Sequence, residues 1–132
     1  MNLRYFIFPV LCLIISCGPS MKQEDLYGKW KYVKVENPER GQGQPTTGEE
    51  LQENDPSVSF SPDGNLEMWW GGKVLSHGTY KLEYPNIVYT ELLPGGSTRN
   101  IRFLIKKFGN NELVFQTQEA DPVRVTARKE GK

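Results

Sequence analysis

The side chains that could catalyse a reaction or bind a metal are few, and their spacing assembles no recognisable site. His77 is the only histidine, whereas a metal site needs several His, Cys or carboxylate ligands. Ser76 precedes His77, but neighbouring residues on a strand point to opposite faces, which disfavours a catalytic pair. No Gly-x-Ser-x-Gly nucleophile motif is present. We therefore predict no enzyme activity, no metal and no cofactor, and we interpret His77 as a surface or pore-lining residue.

The carboxylates are the second group that could do chemistry. Glycoside hydrolysis uses two carboxylates about 5–9 Å apart. The glutamates within strand-like segments are scattered over different strands, and nothing marks one pair among them: Glu67, Glu83, Glu91 and Glu112. We interpret them as solvated charges on an outer face.

Cys17 is the residue whose surroundings predict a definite chemistry. Arg4 is followed by an apolar run from Tyr5 to Ile15, then by the small Ser16 and by Cys17. This order resembles a bacterial lipoprotein signal, in which the chain is cleaved before the cysteine. We predict removal of residues 1–16, lipidation of Cys17 and firm anchoring by several acyl chains. The alternatives are an ordinary secretory signal with a chance cysteine, or an uncleaved apolar start.

Cleavage at this point sets the composition of the mature chain. It leaves 116 residues, enough for one small domain, with 15 basic against 16 acidic residues. A chain so close to neutral offers no basic face for nucleic acid. Cys12 leaves with the signal, so no disulfide within the chain is available. We expect residues 17–25 to be a polar leash and residues 26–132 to form the domain.

The sequence of the mature chain predicts short strands separated by tight turns. Alternating apolar and polar residues end at turn sequences such as Ser61-Pro62-Asp63-Gly64 and Gly71-Gly72. About eight strands at this spacing predict an all-β sandwich or barrel. Gly78, inside one strand, suggests a bulge.

One connection, Asn37 to Asp55, is long and polar. Within it, Thr47-Gly48-Glu49-Glu50 has the form of a capping box and predicts one helical turn through Leu51 and Gln52. Loops of this length in compact domains are usually functional or mobile. The loop could be a lid or an insertion without a role, and the sequence leaves both interpretations open.

Gly28-Lys29-Trp30 opens the first strand, and Arg124 and Arg128 lie near the end of the chain. This arrangement resembles a small lipocalin-like domain. Two further motifs, Phe60-Ser61-Pro62-Asp63-Gly64 and Gly78-Thr79-Tyr80, resemble the pattern in lipocalin-like lipoproteins of Bacteroidetes. The resemblance implies a single antiparallel up-and-down barrel with Trp30 at its closed end, beneath Arg128 or Arg124. A fatty-acid-binding-protein-like or otherwise collapsed barrel of similar strand count is the alternative.

The fold and the aromatic residues lead to two functional hypotheses. In the first, a lipid-anchored protein of the cell envelope, at the periplasmic or surface face of the outer membrane, binds a small apolar or amphipathic ligand. The Asn37 to Asp55 loop is then its gate, and the lining is Trp70, Tyr80, Tyr89, Phe103 and Phe115. In the second, the barrel is filled, and the protein binds an envelope enzyme or a glycan through an outward-facing Trp69. A hollow interior would favour the first hypothesis.

Overall fold

The computed structural model describes residues 21–38 and 48–131. Cys17, the predicted signal segment 1–16 and residues 39–47 lie outside the described residues. In the described part, eight strands form a closed barrel in which each strand pairs with its neighbours in sequence and β1 also pairs with β8. The strands are β1 Gly28–Glu36, β2 Ser57–Phe60, β3 Asn65–Trp70, β4 Lys73–Glu83, β5 Asn86–Leu92, β6 Thr98–Gly109, β7 Glu112–Thr117 and β8 Arg124–Lys129.

Every pairing is antiparallel, so the prediction of an all-β, lipocalin-like up-and-down barrel is confirmed. Closure leaves no sheet edge exposed in the described chain, which suits a small domain without a disulfide. A 3-10 helix, Gln23–Leu26, precedes the barrel, and one α-helix, α1, spans Gly48–Asn54. The predicted helical turn is therefore also confirmed. No helix of the described residues has the length and hydropathy needed to cross a membrane.

The two ends of the barrel differ. The 3-10 helix covers the end at which β1 begins, where Leu26 is fully buried in the main core cluster. We call this the closed end. The opposite, open end carries the Gly71-Gly72 turn, where the Gly71 amide donates to the carbonyl of Asn54 at 2.6 Å. The long first connection thus ends beside that turn, as the up-and-down topology predicts.

Irregular pairing decides which side chains point inward on two strands. In β1 the register shifts between Tyr32 and Lys34. The extra residue, Val33, changes the alternation, so that Val35 rather than Lys34 lines the interior. In β4 the residue without a partner is Leu75, because Met68 pairs with Ser76 and Trp69 pairs with Val74.

Gly78 does not form the predicted bulge. It pairs in regular register with Leu66 on one side and Glu91 on the other. A Cβ at this position would lie 1.9 Å from the carbonyl oxygen of Thr90. Glycine is required here because two strands approach closely, which is the other common reason for glycine within a strand.

Candidate ligand-binding cavity

A cavity of about 520 Å³ occupies the open half of the barrel. Strands β1 and β3 to β8 all contribute side chains to its wall, either directly or through the segment that leads into them. No residue of β2 lines it. On β1, the partners of β2 are the first four residues of that strand, which lie near the closed end. The volume lies within the range of about 300–1,000 Å³ that small-molecule sites occupy.

The floor of the cavity is aromatic. The rings of Tyr89 and Phe103 stack with centroids 6.0 Å apart, and Phe103 meets Phe115 edge-on at 5.3 Å. Tyr32 meets Phe115 edge-on at 6.3 Å. These contacts hold the rings in fixed positions, so the floor presents a rigid apolar surface.

One wall of the cavity is polar. The Ser76 hydroxyl donates to Oε2 of Glu91 at 2.7 Å, and Arg99 Nε donates to Oε1 of the same carboxylate at 2.8 Å. The hydroxyls of Ser76 and Tyr89 lie 2.6 Å apart. Because the single hydroxyl hydrogen of Ser76 goes to Glu91, Tyr89 is the donor in that bond. We call Ser76, Tyr89, Glu91 and Arg99 the polar wall.

The polar wall stabilises a charged carboxylate in a place with little water. The Glu91 side chain is only 12% exposed. Burial disfavours the charged form, but the hydrogen bonds from Ser76 and Arg99, together with the positive charge of Arg99, outweigh it and lower the pKa of Glu91. Burial raises the pKa of Tyr89, so its phenol stays neutral.

Tyr32 adds a second phenol to this cavity. Burial raises its pKa well above the usual value, and the neighbouring Tyr89 phenol adds to the effect. Its hydroxyl makes no side-chain hydrogen bond within residues 21–38 and 48–131. Among the described side chains, the polar atom that is both buried and without a hydrogen bond is Ser57 Oγ, so the Tyr32 hydroxyl is accessible to water.

Four of the five side chains predicted as lining do line this cavity: Trp70, Tyr89, Phe103 and Phe115. Trp70 lies at the mouth and is 36% exposed. Whether these residues contact a ligand stays a prediction.

Tyr80 does not line the cavity, and we correct that prediction. Its ring packs edge-on against Phe60 at 5.0 Å, and its hydroxyl donates to the Ser61 carbonyl at 2.8 Å. Both partners lie toward the closed end, where burial raises the pKa of Tyr80 to about 12. Tyr80 therefore belongs to the core of the closed half.

Sequence reasoning missed the polar wall. It grouped Glu91 with the solvated outer-face charges, and this interpretation is wrong. The alternation of β5 carries the information, because Glu91 lies two residues after the buried Tyr89 and so shares its face. Ser76 likewise faces the cavity, while His77 is exposed on the other side of the strand.

The closed end confirms the burial of Trp30 but corrects its cationic partner. Trp30 is 1% exposed, and its indole donates to the Leu26 carbonyl at 2.9 Å. The cation over its ring is Lys129, with Nζ 4.9 Å from the ring centroid. Arg128 points outward to Glu112 and Arg124 to Glu36, because Val125, Ala127 and Lys129 share the inner face of β8.

The outer surface offers weaker candidates. A cleft of about 650 Å³ separates α1 from β1, but it is lined by charged groups such as Lys31, Asp55 and Arg128. No α1 residue lines the barrel cavity, so the described part of the long connection does not cover the mouth. Trp69 is half-buried, and its indole donates to Glu67 at 3.2 Å.

No protein-family model matches the chain, and no curated protein matches it either. Among residues 21–38 and 48–131, no three His, Cys, Asp or Glu side chains are grouped so that they could hold a metal ion.

Proposed function

We propose that this protein is a membrane-anchored, lipocalin-like lipoprotein that binds a small apolar or amphipathic molecule inside its barrel. The observation that carries the proposal is the cavity of about 520 Å³, which combines an aromatic floor with a few converging polar groups. This combination is typical of small-molecule sites. The hollow open half favours a carrier over an interaction module with a filled barrel.

The anchoring part of the proposal is supported by sequence alone. Arg4, the apolar run and Ser16-Cys17 have the order of a lipoprotein signal. Fatty-acid labelling of cells tests it, because Cys17→Ser should abolish the label and leave the protein soluble or unprocessed. Label retained in this variant would contradict lipidation at Cys17.

Binding is tested with an environment-sensitive apolar dye on the chain that begins at Gly18, since all eight strands lie beyond it. Ile101→Trp should fill the cavity and abolish binding, because Ile101 lines it. Arg102→Trp is the matched control, since it places the same ring on the exposed face of the same strand. Equal dye binding by both variants would contradict a site inside the barrel.

A further inference from the structure

The ionisable groups around the cavity disfavour an anionic ligand. Glu91 and Glu119 are the carboxylates that line it, and Arg99 is the cationic side chain that lines it. The described lining therefore has two negative charges and one positive charge, which gives it a net charge of −1. A ligand anion entering this space would meet net repulsion in surroundings of lower dielectric than water.

The positive charge of Arg99 is already balanced by the carboxylate of Glu91. Its Nε already donates to Glu91 at 2.8 Å. Its side chain is 63% exposed, whereas that of Glu91 is 12% exposed. A ligand carboxylate that drew Arg99 away from Glu91 would leave the more buried Glu91 with Ser76 as its remaining described hydrogen-bond donor. Depriving a buried charge of its partner is costly, so this exchange is unfavourable.

The two phenols offer what a hydroxyl group needs. Tyr89 donates its hydrogen to Ser76, so its oxygen keeps lone pairs that can accept. Tyr32 has no side-chain hydrogen bond in the described residues and can donate. A ligand hydroxyl can therefore donate to Tyr89 and accept from Tyr32 without breaking any bond of the polar wall.

From this arrangement we propose that the cavity selects a neutral amphipathic molecule with a hydroxyl group, such as a long-chain alcohol, over a fatty-acid anion. The apolar part lies against Phe103, Phe115 and Val125, and the hydroxyl lies between Tyr32 and Tyr89. This inference rests on the proposed binding function, whose ligand class it names.

The test is displacement of the bound apolar dye by 1-decanol and by decanoate at neutral pH. The two probes share one chain length and differ in charge. We expect decanol to displace the dye at concentrations about tenfold lower than decanoate, because the carboxylate has no hydrogen to donate to Tyr89 and one hydrogen bond is worth about this much. Decanoate acting as well as decanol would overturn the ligand class while leaving the binding function standing. Absence of dye binding would instead overturn the proposed function.

Two variants test which residues cause the preference for decanol over decanoate. Glu91→Gln should increase decanoate affinity about tenfold, because it releases Arg99, and Glu83→Gln, on the outer face beside Arg102, should change nothing. Tyr32→Phe should weaken decanol severalfold and leave dye affinity unchanged. Unaltered selectivity in folded Glu91→Gln and Tyr32→Phe would overturn the assignment to the polar wall.

Discussion

Trp30 is held at the closed end from three sides. Its indole donates to Leu26 at 2.9 Å, its ring lies 6.2 Å from that of Phe108, and Lys129 lies over its face. The 3-10 helix and three strands are joined through this one side chain. Burial, a hydrogen bond and a cation–π contact therefore all act at the same residue.

Trp30→Ala should lower the free energy of unfolding by about 3–5 kcal/mol, because it empties a large buried site. Trp30→Phe keeps a ring but leaves the Leu26 carbonyl unpaired, which should cost about 1–3 kcal/mol. Urea denaturation measures both. Trp69→Phe is the control, since it loses a hydrogen bond to Glu67 in an exposed setting. Equal losses in Trp30→Phe and Trp69→Phe would contradict a special role for the closed end.

Glu91 makes stability depend on pH in a definite direction. Its pKa in the folded chain is lowered from the ordinary 4.5 by the hydrogen bonds that outweigh burial. A lowered pKa stabilises the fold at pH values above 4.5, and this contribution is lost as the pH falls through the folded-state value. The Glu91 carboxylate should therefore stabilise the protein at pH 7 and cease to do so in acid.

Glu91→Gln should accordingly unfold at lower urea than the wild type at pH 7, and the gap should narrow as the pH falls below 4.5. Glu83→Gln removes an exposed charge pair and should differ little from the wild type at either pH. A gap that is constant with pH would show that Glu91 contributes packing rather than charge.

The residue-scale errors have two different physical sources. The faces of Lys129 and Glu91 follow from the alternation of their own strands, because each lies two residues from a buried residue, Ala127 and Tyr89 respectively, so both faces could have been predicted from the sequence. Tyr80 has the same alternation as a lining residue, and its height along the barrel decides its role. That height depends on pairing with distant residues, which one strand's sequence does not contain.

Among the glycines of the described residues, Gly78 in β4 has the closest backbone neighbour. Thr90 of β5 lies very close to Gly78. A Cβ placed on Gly78 would lie 1.9 Å from the carbonyl oxygen of Thr90 and 2.9 Å from its carbonyl carbon. These are backbone atoms, which cannot move without breaking the register of two strands.

Gly78→Ala should cost about 3 kcal/mol or more, since overpacking of this severity forces a backbone shift. Thermal unfolding followed by circular dichroism measures it. Gly48→Ala is the matched control, because a Cβ at Gly48 meets nothing within 4 Å in α1. It should be neutral or slightly stabilising. An unchanged melting temperature in Gly78→Ala would contradict the close approach of β4 and β5.

Strand number and turn positions were predictable because they depend on local alternation and on Gly, Pro and Asn at turns. The bulges were not. Val33 and Leu75 are unremarkable within their own strands, and they become extra residues only against partners in β8 and β3. The consequence reaches the cavity, since Val35 faces inward only because Val33 is extra.

At the scale of the whole molecule, the barrel has a direction relative to its proposed anchor. The described chain begins at Met21, which packs against the core and leads into the 3-10 helix of the closed end. Only three residues separate Cys17 from Met21, and the four backbone steps between them span at most about 14 Å. A lipid on Cys17 would therefore hold the closed end near the membrane and point the cavity mouth away from it.

This orientation predicts exchange of ligand with the aqueous side or with a soluble partner, rather than extraction from the anchoring bilayer. Single cysteines at Asp63, in the β2–β3 turn of the closed end, and at Ser97, in the β5–β6 turn of the open end, report on it. Both positions are exposed. Since Cys17 carries the lipid and Cys12 is removed in the proposed mature form, each introduced thiol is the one free thiol. In vesicles with a headgroup quencher, a fluorophore at Asp63→Cys should be quenched more strongly than one at Ser97→Cys. The reverse order would place the mouth against the membrane, and similar quenching at both would mean that the barrel lies on its side; either result contradicts the orientation that the short leash implies.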